Sequence, residues 1–263
     1  MIVQTIRSLL FYVFFIGVTT ILAIPMGLYS LVAPKFSGYP IVWLWYQSNL
    51  FFLRIFVGIK SKIEGEENLP DGPFIIASKH QSDWDIFALL PATGRRPSFI
   101  AKKQLLDIPF FGWAARNFHT ISVNRKKGRE ALPQMIEQSK EAIKHDCRIV
   151  IYPEGTRKAP LAEPNYKWGI VKLYTELNIP VVPVALTSGL YWPRNSHVLW
   201  PGTARARYLK PIQPGLDADE FHAELQRVIE TETEKMIFED LENGISLPIS
   251  EAFQNRIDQR RSA

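Results

Sequence analysis

Residues Phe74–Asp85 read FIIASKHQSDWD, and this stretch decides how the chain around it folds. The apolar run Phe74–Ser78 predicts a short buried strand, because a continuous apolar run of about four to eight residues suits a strand in a sheet core. Polar residues follow at once, and Asp83–Leu90 predicts a short helix. A strand that leads directly into a helix is the repeating unit of an α/β fold.

A histidine and two aspartates occupy the turn between this strand and this helix. The imidazole of His80 can take a proton from a hydroxyl near pH 7, and a nearby carboxylate can fix its tautomer. Asp83 and Asp85 are rival candidates for that carboxylate. Ser82–Asp85 also fits a capping box, in which Asp85 would serve only the helix N-terminus. The two roles are compatible, so these residues alone leave the choice open.

Alternating strands and helices are predicted along the rest of the chain. Strands are expected at 98–101, 120–123, 148–152, 181–186 and 204–208, and helices at 109–117, 130–145, 169–177 and 219–242. This alternation predicts the α/β class, with a mixed sheet flanked by helices. The polar, turn-rich stretch 61–73 marks a boundary. We therefore predict an N-terminal segment at 1–60, a globular domain at 61–245 and a loose tail at 246–263.

The N-terminal segment is predicted to associate with a membrane. No charged residue occurs from Ser8 to Pro34, and about 20 apolar residues suffice to cross a bilayer core. Pro25 is expected to kink or end this helix. A second uncharged window, Phe36–Leu53, carries aromatic residues that suit a helix at the headgroup level. A full span and a re-entrant hairpin remain open, with a cleaved signal peptide and a buried helical hairpin as alternatives.

Charge and cysteine content restrict the partners. The net charge is +5 and the pI is about 9.2, a balance that suits nucleic acid, a lipid surface or phosphorylated substrates. The chain has a single cysteine, Cys147, which excludes an intrachain disulfide and a cysteine-rich metal site. The histidines are scattered, and no metal site is predicted.

Charged residues follow four successive predicted strands: His80, Lys102, Arg125 and the run Glu154–Arg157. In α/β sheets, ligands bind in the crevice at the carboxyl ends of the strands. A base beside several cations describes a site that deprotonates a hydroxyl on a phosphorylated substrate. The simpler alternatives are a solvated basic loop after Arg125 and a surface turn with a local Glu–Arg pair. Pro183, inside a predicted strand, indicates an edge, a bulge or a position that lines a site.

The order and spacing of these blocks resemble the glycerolipid acyltransferase family, most closely its bacterial members that acylate 1-acyl-sn-glycerol 3-phosphate. The resemblance covers roughly Ile63 to Pro214, and the blocks that carry it are Lys79–Asp85, Ala101–Leu106, Arg125, Pro153–Arg157 and Val182–Val184. It implies a glycerol-3-phosphate acyltransferase-like fold with an N-terminal membrane-associated helical hairpin.

The resemblance also assigns roles, and it selects Asp85 over Asp83. His80 matches the general base of the family and Asp85 its orienting carboxylate. The residues that match acceptor-binding positions are Arg125, Glu154, Gly155, Thr156 and Arg157, and Pro183 matches the acyl-donor side. Lys102, in another matched block, is also expected to bind substrate. Two blocks depart from the family pattern: His119–Arg125 lacks the usual aromatic and aspartate before the arginine, and Tyr166–Gly169 carries a tryptophan.

The activity that the resemblance implies is transfer of a fatty acyl group from acyl-CoA or acyl carrier protein to the sn-2 hydroxyl of lysophosphatidic acid. It implies no metal, no cofactor and no nucleic acid, but a bilayer as partner, at the cell inner membrane with the catalytic domain on the cytoplasmic face. Oxyanion donors are expected among the backbone N–H groups near His80. The alternatives are another lysophospholipid or glycerol 3-phosphate as acceptor, or a non-catalytic lipid-binding membrane protein.

Overall fold

A seven-stranded mixed sheet forms the centre of the molecule. The computed structural model describes residues 1–262, without the side chains of Arg125 and Lys127. The strands are β1 (Ile59–Glu64), β2 (Ile75–Ser78), β3 (Pro97–Lys102), β4 (Ile121–Val123), β5 (Arg148–Ile151), β6 (Val181–Leu186) and β7 (Gly202–Tyr208), in the order β1-β7-β6-β2-β5-β3-β4. Every neighbouring pair is parallel except β6 with β7. The predicted mixed α/β sheet is confirmed.

Helices cover both faces of this sheet. They are α1 (Ile2–Tyr29), α2 (Tyr39–Phe52), α3 (Trp84–Leu89), α4 (Lys103–Leu106), α5 (Phe111–Asn117), α6 (Leu132–Lys144), α7 (Gly169–Leu177), α8 (Ala218–Glu242) and α9 (Glu251–Ser262). Successive side chains of a strand point to opposite faces. Ile75 accordingly packs with residues of α6, α7 and α8, whereas Ile76 packs with residues of α1, α3 and α9.

Strand β1, the short helix α4 and helix α9 were missed in the sequence. The predicted boundary at residue 60 falls inside β1, which pairs with β7 over its whole length. The predicted loose tail contains α9, which buries Phe253 and Ile257. Arg256 also donates a hydrogen bond from Nε to the carbonyl of Pro160 at 2.9 Å. Two apolar residues in an otherwise polar helix give almost no periodic signal, so packing decides this helix.

The structure excludes one of the expected alternatives for each of the two prolines. Pro25 lies inside α1, which continues to Tyr29 rather than ending near Ile24. Pro183 lies in β6, a central strand between β2 and β7, so it does not mark an edge. Its carbonyl accepts from the backbone N–H of Leu209, beyond the end of β7. The missing N–H of Pro183 is therefore tolerated where the regular β6–β7 ladder has already stopped.

Helices α1 and α2 form the expected hairpin, which lies along the globular part and is attached to it at both ends. Near the start of α1, the Ser8 hydroxyl accepts from the Leu199 N–H at 2.9 Å. At the tip of the hairpin, the Asn117 amide oxygen accepts from the Phe36 N–H at 3.0 Å. Between these points, Phe11 stacks edge-on against Trp192. The hairpin is therefore fixed to the globular part at both ends.

The outward face of α1 is apolar and exposed. Helix α1 is long and apolar enough to cross a membrane, with a mean hydropathy of 2.3 in its most apolar window. Val13 and Ile16 are 67% and 62% exposed on this face, because the opposite face already packs on the domain. An exposed apolar face of this kind is typical of a helix that lies at or in a bilayer.

The double variant Val13→Glu, Ile16→Glu should lose most of its membrane binding and keep its fold, since neither side chain is buried. Each buried aliphatic side chain contributes about 1.5–3 kcal/mol, so partitioning into phospholipid vesicles should weaken at least roughly 100-fold in a flotation assay. The matched control is Ile249→Glu, at a 48% exposed position outside the hairpin. Unchanged flotation of the double variant would show that another surface carries the attachment.

Candidate active site

The turn between β2 and α3 brings His80 against Asp85. Strand β2 ends at Ser78 and α3 begins at Trp84, so His80 lies in the loop before the helix. From there its Nδ1 lies 2.8 Å from Oδ2 of Asp85. Because Nδ1 faces the carboxylate, Nε2 is the nitrogen left to accept a proton. The His80 ring is largely covered but reaches the surface, whereas Asp85 is completely buried.

Four further donors converge on the Asp85 carboxylate. The backbone N–H groups of Gln81 and Ser82 lie 2.7 and 3.1 Å from Oδ2, and the Ser82 hydroxyl lies 3.0 Å from Oδ1. The hydroxyl of Ser188, which follows β6, donates to Oδ1 at 2.5 Å. A carboxylate can accept from all of these groups at once because both of its oxygens are acceptors. Asp85 is thereby fixed in position, and it fixes the His80 ring in turn.

The capping role and the chemical role of Asp85 coexist. The Ser82 hydroxyl accepts from the Trp84 N–H at 3.0 Å, while Asp85 reaches back to the Ser82 N–H, as in a capping box. The N–H groups of Gln81 and Ser82 are therefore occupied. The expectation that backbone donors near His80 serve an oxyanion does not hold for these two groups.

An aromatic ring supports the other side of His80. Tyr152, directly after β5, stacks on the imidazole with 3.9 Å between ring centroids and 17° between planes. Burial raises the pKa of the Tyr152 phenol well above its ordinary value, and the charge of Asp85 adds to the effect. The neutral tyrosine thus restricts the histidine to one orientation without competing for its proton.

The loop that carries Glu154–Arg157 docks onto the histidine loop. The Lys158 N–H donates to the carbonyl of His80 at 2.7 Å. The Arg157 guanidinium donates from Nη1 to Oδ2 of Asp83 at 2.7 Å. Asp83 therefore faces Arg157, while Asp85 faces His80, as the resemblance selected. These contacts join the loop of Arg157 to the loop of His80.

Glu154 points away from the surface and into a buried charge network. Lys79 donates from Nζ to Glu154 at 3.2 Å and to Glu230 of α8 at 2.7 Å. The Tyr166 hydroxyl also donates to Glu230, at 2.9 Å. Burial raises the pKa of Glu154, and the charge of Lys79 opposes that rise. Glu154 thus joins its own loop to the loop of Lys79 and His80 through a buried ion pair. Any effect of Glu154 on substrate binding would act through the position of its loop.

The remaining predicted site residues lie along the same edge of the sheet. Lys102 ends β3 with an exposed side chain, and Thr156 is exposed in the docked loop. Gly155 has φ +67°, which a residue with a Cβ rarely adopts. Arg125 follows β4 at the start of a 3₁₀ helix (Arg125–Ala131), but its side chain lies outside the described part of the chain. Because β2, β3, β4 and β5 are parallel, their carboxyl ends meet at this edge.

Pro183 is buried in β6 opposite Ala77, below the level of the histidine loop. Among residues 1–262, no cluster of histidine, cysteine and carboxylate side chains could hold a metal ion. The residues missed in the sequence are Tyr152, Ser188 and Glu230. Of these, Ser188 could most easily have been found from the sequence, because it follows β6, a fifth strand of the same parallel set.

Comparisons with known proteins identify the family. The sequence model of the acyltransferase family matches residues 60–187. A 1-acyl-sn-glycerol-3-phosphate acyltransferase of Pseudomonas aeruginosa is 32% identical over 76% of this chain and 78% of its own length. The Saccharomyces cerevisiae enzyme of the same name is 33% identical, over 64% of this chain and 57% of its own length.

A solved structure shows the same fold. The 1-acyl-sn-glycerophosphate acyltransferase of Thermotoga maritima superposes with a TM-score of 0.68 at 22% identity, over 89% of this chain and 97% of that one. The superposition covers more of this chain than the family model does. It therefore includes parts of the chain outside residues 60–187.

Lys79→Met should destabilise the protein strongly, because it leaves the buried Glu154 and the partly buried Glu230 without their cation. Removal of one partner of a buried ion pair costs about 3–5 kcal/mol, which urea denaturation at pH 7 would measure. The matched control is Lys140→Met, which removes the exposed pair with Glu176 and should cost less than about 1 kcal/mol. Equal effects of the two substitutions would contradict the buried network.

The deficit of Lys79→Met should also depend on pH. The pKa of Glu154 is raised in the folded protein, and loss of Lys79 raises it further. The folded state then binds this proton more tightly than the unfolded state, so the stability from protonation is complete below the unfolded pKa and lost as the pH rises through the folded one. The deficit should therefore shrink as the pH falls from 7 toward about 4.3. A constant deficit would show that loss of Lys79 leaves the proton affinity of Glu154 in the folded protein unchanged.

Proposed function

The chain belongs to the acyltransferase family, and on that premise we propose that it transfers a fatty acyl group to the sn-2 hydroxyl of 1-acyl-sn-glycerol 3-phosphate. The product is phosphatidic acid, so the chain is an enzyme of phospholipid biosynthesis. The observation that carries this proposal is the oriented pair His80–Asp85. The loop of His80 also binds the Arg157 guanidinium through Asp83. A base beside a phosphate-binding group is what a phosphorylated alcohol acceptor requires.

Proton transfer to His80 starts the reaction. The sn-2 hydroxyl of the acceptor donates to Nε2, while Nδ1–H donates to Asp85. As the hydroxyl oxygen attacks the acyl carbonyl, its proton moves to Nε2 and the ring becomes an imidazolium. The carboxylate stabilises that positive charge, and the stack on Tyr152 keeps the ring in place. Positioned base catalysis of this kind contributes roughly 10²–10⁴-fold to the rate.

Thioester cleavage completes the reaction. The new oxygen–carbon bond forms at the thioester carbonyl, and the carbonyl electron pair moves onto its oxygen to give a tetrahedral oxyanion. Collapse of this intermediate re-forms the carbonyl and breaks the carbon–sulfur bond. The thiolate leaves and takes the proton from His80. The base is thus regenerated, and no external oxidant, metal or cofactor is required.

The acceptor phosphate is bound by cations at the carboxyl edge of the sheet. Arg157 is the group best placed, because its loop is joined to the histidine loop. Lys102 and Arg125 follow neighbouring strands of the same edge. An arginine can bind phosphate through two parallel hydrogen bonds, which fixes the acceptor in orientation as well as in place.

The membrane hairpin suits substrates that stay in lipid. The acceptor and the product both carry long acyl chains, and a site at the bilayer surface avoids their extraction into water. Phe15 of α1 packs edge-on against Phe87 of α3, the helix that also carries Asp85. The hairpin therefore adjoins the catalytic loop. We propose attachment to the cell inner membrane with the catalytic domain on the cytoplasmic face, where acyl thioesters are supplied.

His80→Ala should abolish acyl transfer without unfolding the protein. Loss of the base should lower kcat by at least roughly 10²–10⁴-fold, with little change in the KM of the acceptor. The matched control is His145→Ala, which removes an exposed histidine at the end of α6. Thiol release from acyl-CoA and the circular dichroism of both variants would be measured. A folded His80→Ala variant with near-normal kcat would exclude this mechanism.

The acyl donor and the acceptor are tested by a panel. Release of free thiol is followed with acyl-CoA or acyl carrier protein as donor. The acceptors are lysophosphatidic acid, lysophosphatidylethanolamine and glycerol 3-phosphate. Turnover highest with lysophosphatidic acid is expected, since it combines a phosphate for the cations with an acyl chain for the bilayer. Preference for either of the other acceptors would reassign the substrate, and lack of turnover with every pair would indicate a lipid-binding protein.

A further inference from the structure

The mechanism above leaves Asp83 without a role, although its carboxylate lies in the candidate site. We propose that Asp83 is a built-in competitor for Arg157 that the acceptor phosphate displaces. The carboxylate holds the guanidinium in the empty site and exchanges with the phosphate when the acceptor enters and leaves. This inference rests on the proposed function, because it takes Arg157 as the phosphate-binding group.

The position of Asp83 argues for a specific pairing with Arg157. Asp83 is the N-cap residue of α3, but its side chain does not cap the helix. The Trp84 N–H is instead bound by the Ser82 hydroxyl. Aspartate at an N-cap ordinarily accepts from the first-turn N–H groups. Here the carboxylate turns outward and accepts from Nη1 of Arg157 at 2.7 Å.

The Asp83–Arg157 contact is also the exchangeable one of those that join the two loops. In the Lys79–Glu154 pair the two side chains are 2% and 1% exposed, whereas Asp83 and Arg157 are 47% and 34% exposed. The third contact, from the Lys158 N–H to the His80 carbonyl, is between backbone groups. Release of Asp83 therefore leaves the loops joined by the other two contacts.

The backbone of Arg157 is held independently of Asp83. Arg194 donates from Nη1 to the carbonyl of Arg157 at 2.5 Å. The guanidinium can therefore change partner while its main chain stays in place. Arg194 also adds a second cation beside the same loop, which favours an anion that approaches from solvent.

A phosphate monoester is a stronger partner for Arg157 than the Asp83 carboxylate. It carries a charge of about −1.5 to −2 near pH 7 and three acceptor oxygens, and it can bind a guanidinium through two parallel hydrogen bonds. Asp83 makes one such bond in a half-exposed pair, and pairs of this kind contribute little to stability. The exchange therefore favours phosphate, but less than it would with a free arginine.

This competition acts on the product as well as on the substrate. Lysophosphatidic acid and phosphatidic acid carry the same phosphate, so Asp83 weakens the binding of both. Weaker binding of the product shortens its stay in the site after acyl transfer. Asp83 is on this account a residue that tunes acceptor affinity and product release through Arg157, without contact with the reacting atoms.

The test is Asp83→Asn, which removes the charge but keeps the shape of the side chain. An exposed ion pair is worth about 0.2–1 kcal/mol, so the dissociation constant and the KM of lysophosphatidic acid should fall by up to roughly 5-fold. The inhibition constant of phosphatidic acid should fall by the same factor, while the KM of acyl-CoA stays unchanged. The matched control is Glu67→Gln, which removes an exposed negative charge from the loop after β1.

A double-mutant cycle shows whether the effect passes through Arg157. In an Arg157→Ala background, Asp83→Asn should leave the dissociation constant of lysophosphatidic acid unchanged. An increase or no change in that constant for Asp83→Asn alone would overturn the proposal, as would an equal decrease in both backgrounds. Dissociation constants decide this question without turnover. A wild-type protein that binds lysophosphatidic acid but does not acylate it would refute the proposed function and not the role of Asp83.

Discussion

The hydrogen bonds that converge on Asp85 are the constraint on which the rest of the site depends. They tie the β2–α3 loop to itself through Gln81 and Ser82, and to the end of β6 through Ser188. Of the partners of Asp85 within residues 1–262, Gln81, Ser82 and Ser188 are buried, whereas His80 reaches the surface. The buried carboxylate therefore links His80 to the backbone at the ends of β2 and β6, and it fixes the orientation of the imidazole.

Charge pairs of two kinds surround this centre, and burial separates their roles. The pair Lys79–Glu154 is buried and joined to Glu230, so its loss leaves uncompensated charge in the core. The pair Asp83–Arg157 is half-exposed and can exchange with a ligand. Both pairs connect the same two loops. The buried pair Lys79–Glu154 thus holds the two loops together, whereas the half-exposed pair Asp83–Arg157 can open when an anion binds Arg157.

Much of this arrangement was predictable from the sequence. Strands β2 and β5 lie in apolar runs that predicted them, and the choice of Asp85 over Asp83 as the partner of His80 came from the resemblance to the acyltransferase family. Packing determines what was missed. Apolar and polar residues alternate only weakly along strand β1, which forms because it pairs with β7. The inward direction of Glu154 depends on α8, which is far along the chain, and sequence spacing carries no information on that contact.

Replacement of Asp85 by asparagine tests whether this buried carboxylate sets the tautomer and orientation of His80. The asparagine NH₂ group can donate to Nδ1 of His80 and so favour the wrong tautomer. The same NH₂ group would face N–H and O–H donors from which the carboxylate had accepted hydrogen bonds. We expect kcat per folded molecule of Asp85→Asn to fall by roughly 10³–10⁴-fold, as the same substitution does in catalytic triads. The KM of lysophosphatidic acid should stay nearly unchanged. A folded Asp85→Asn protein with kcat within a few-fold of the wild type would contradict this role of Asp85.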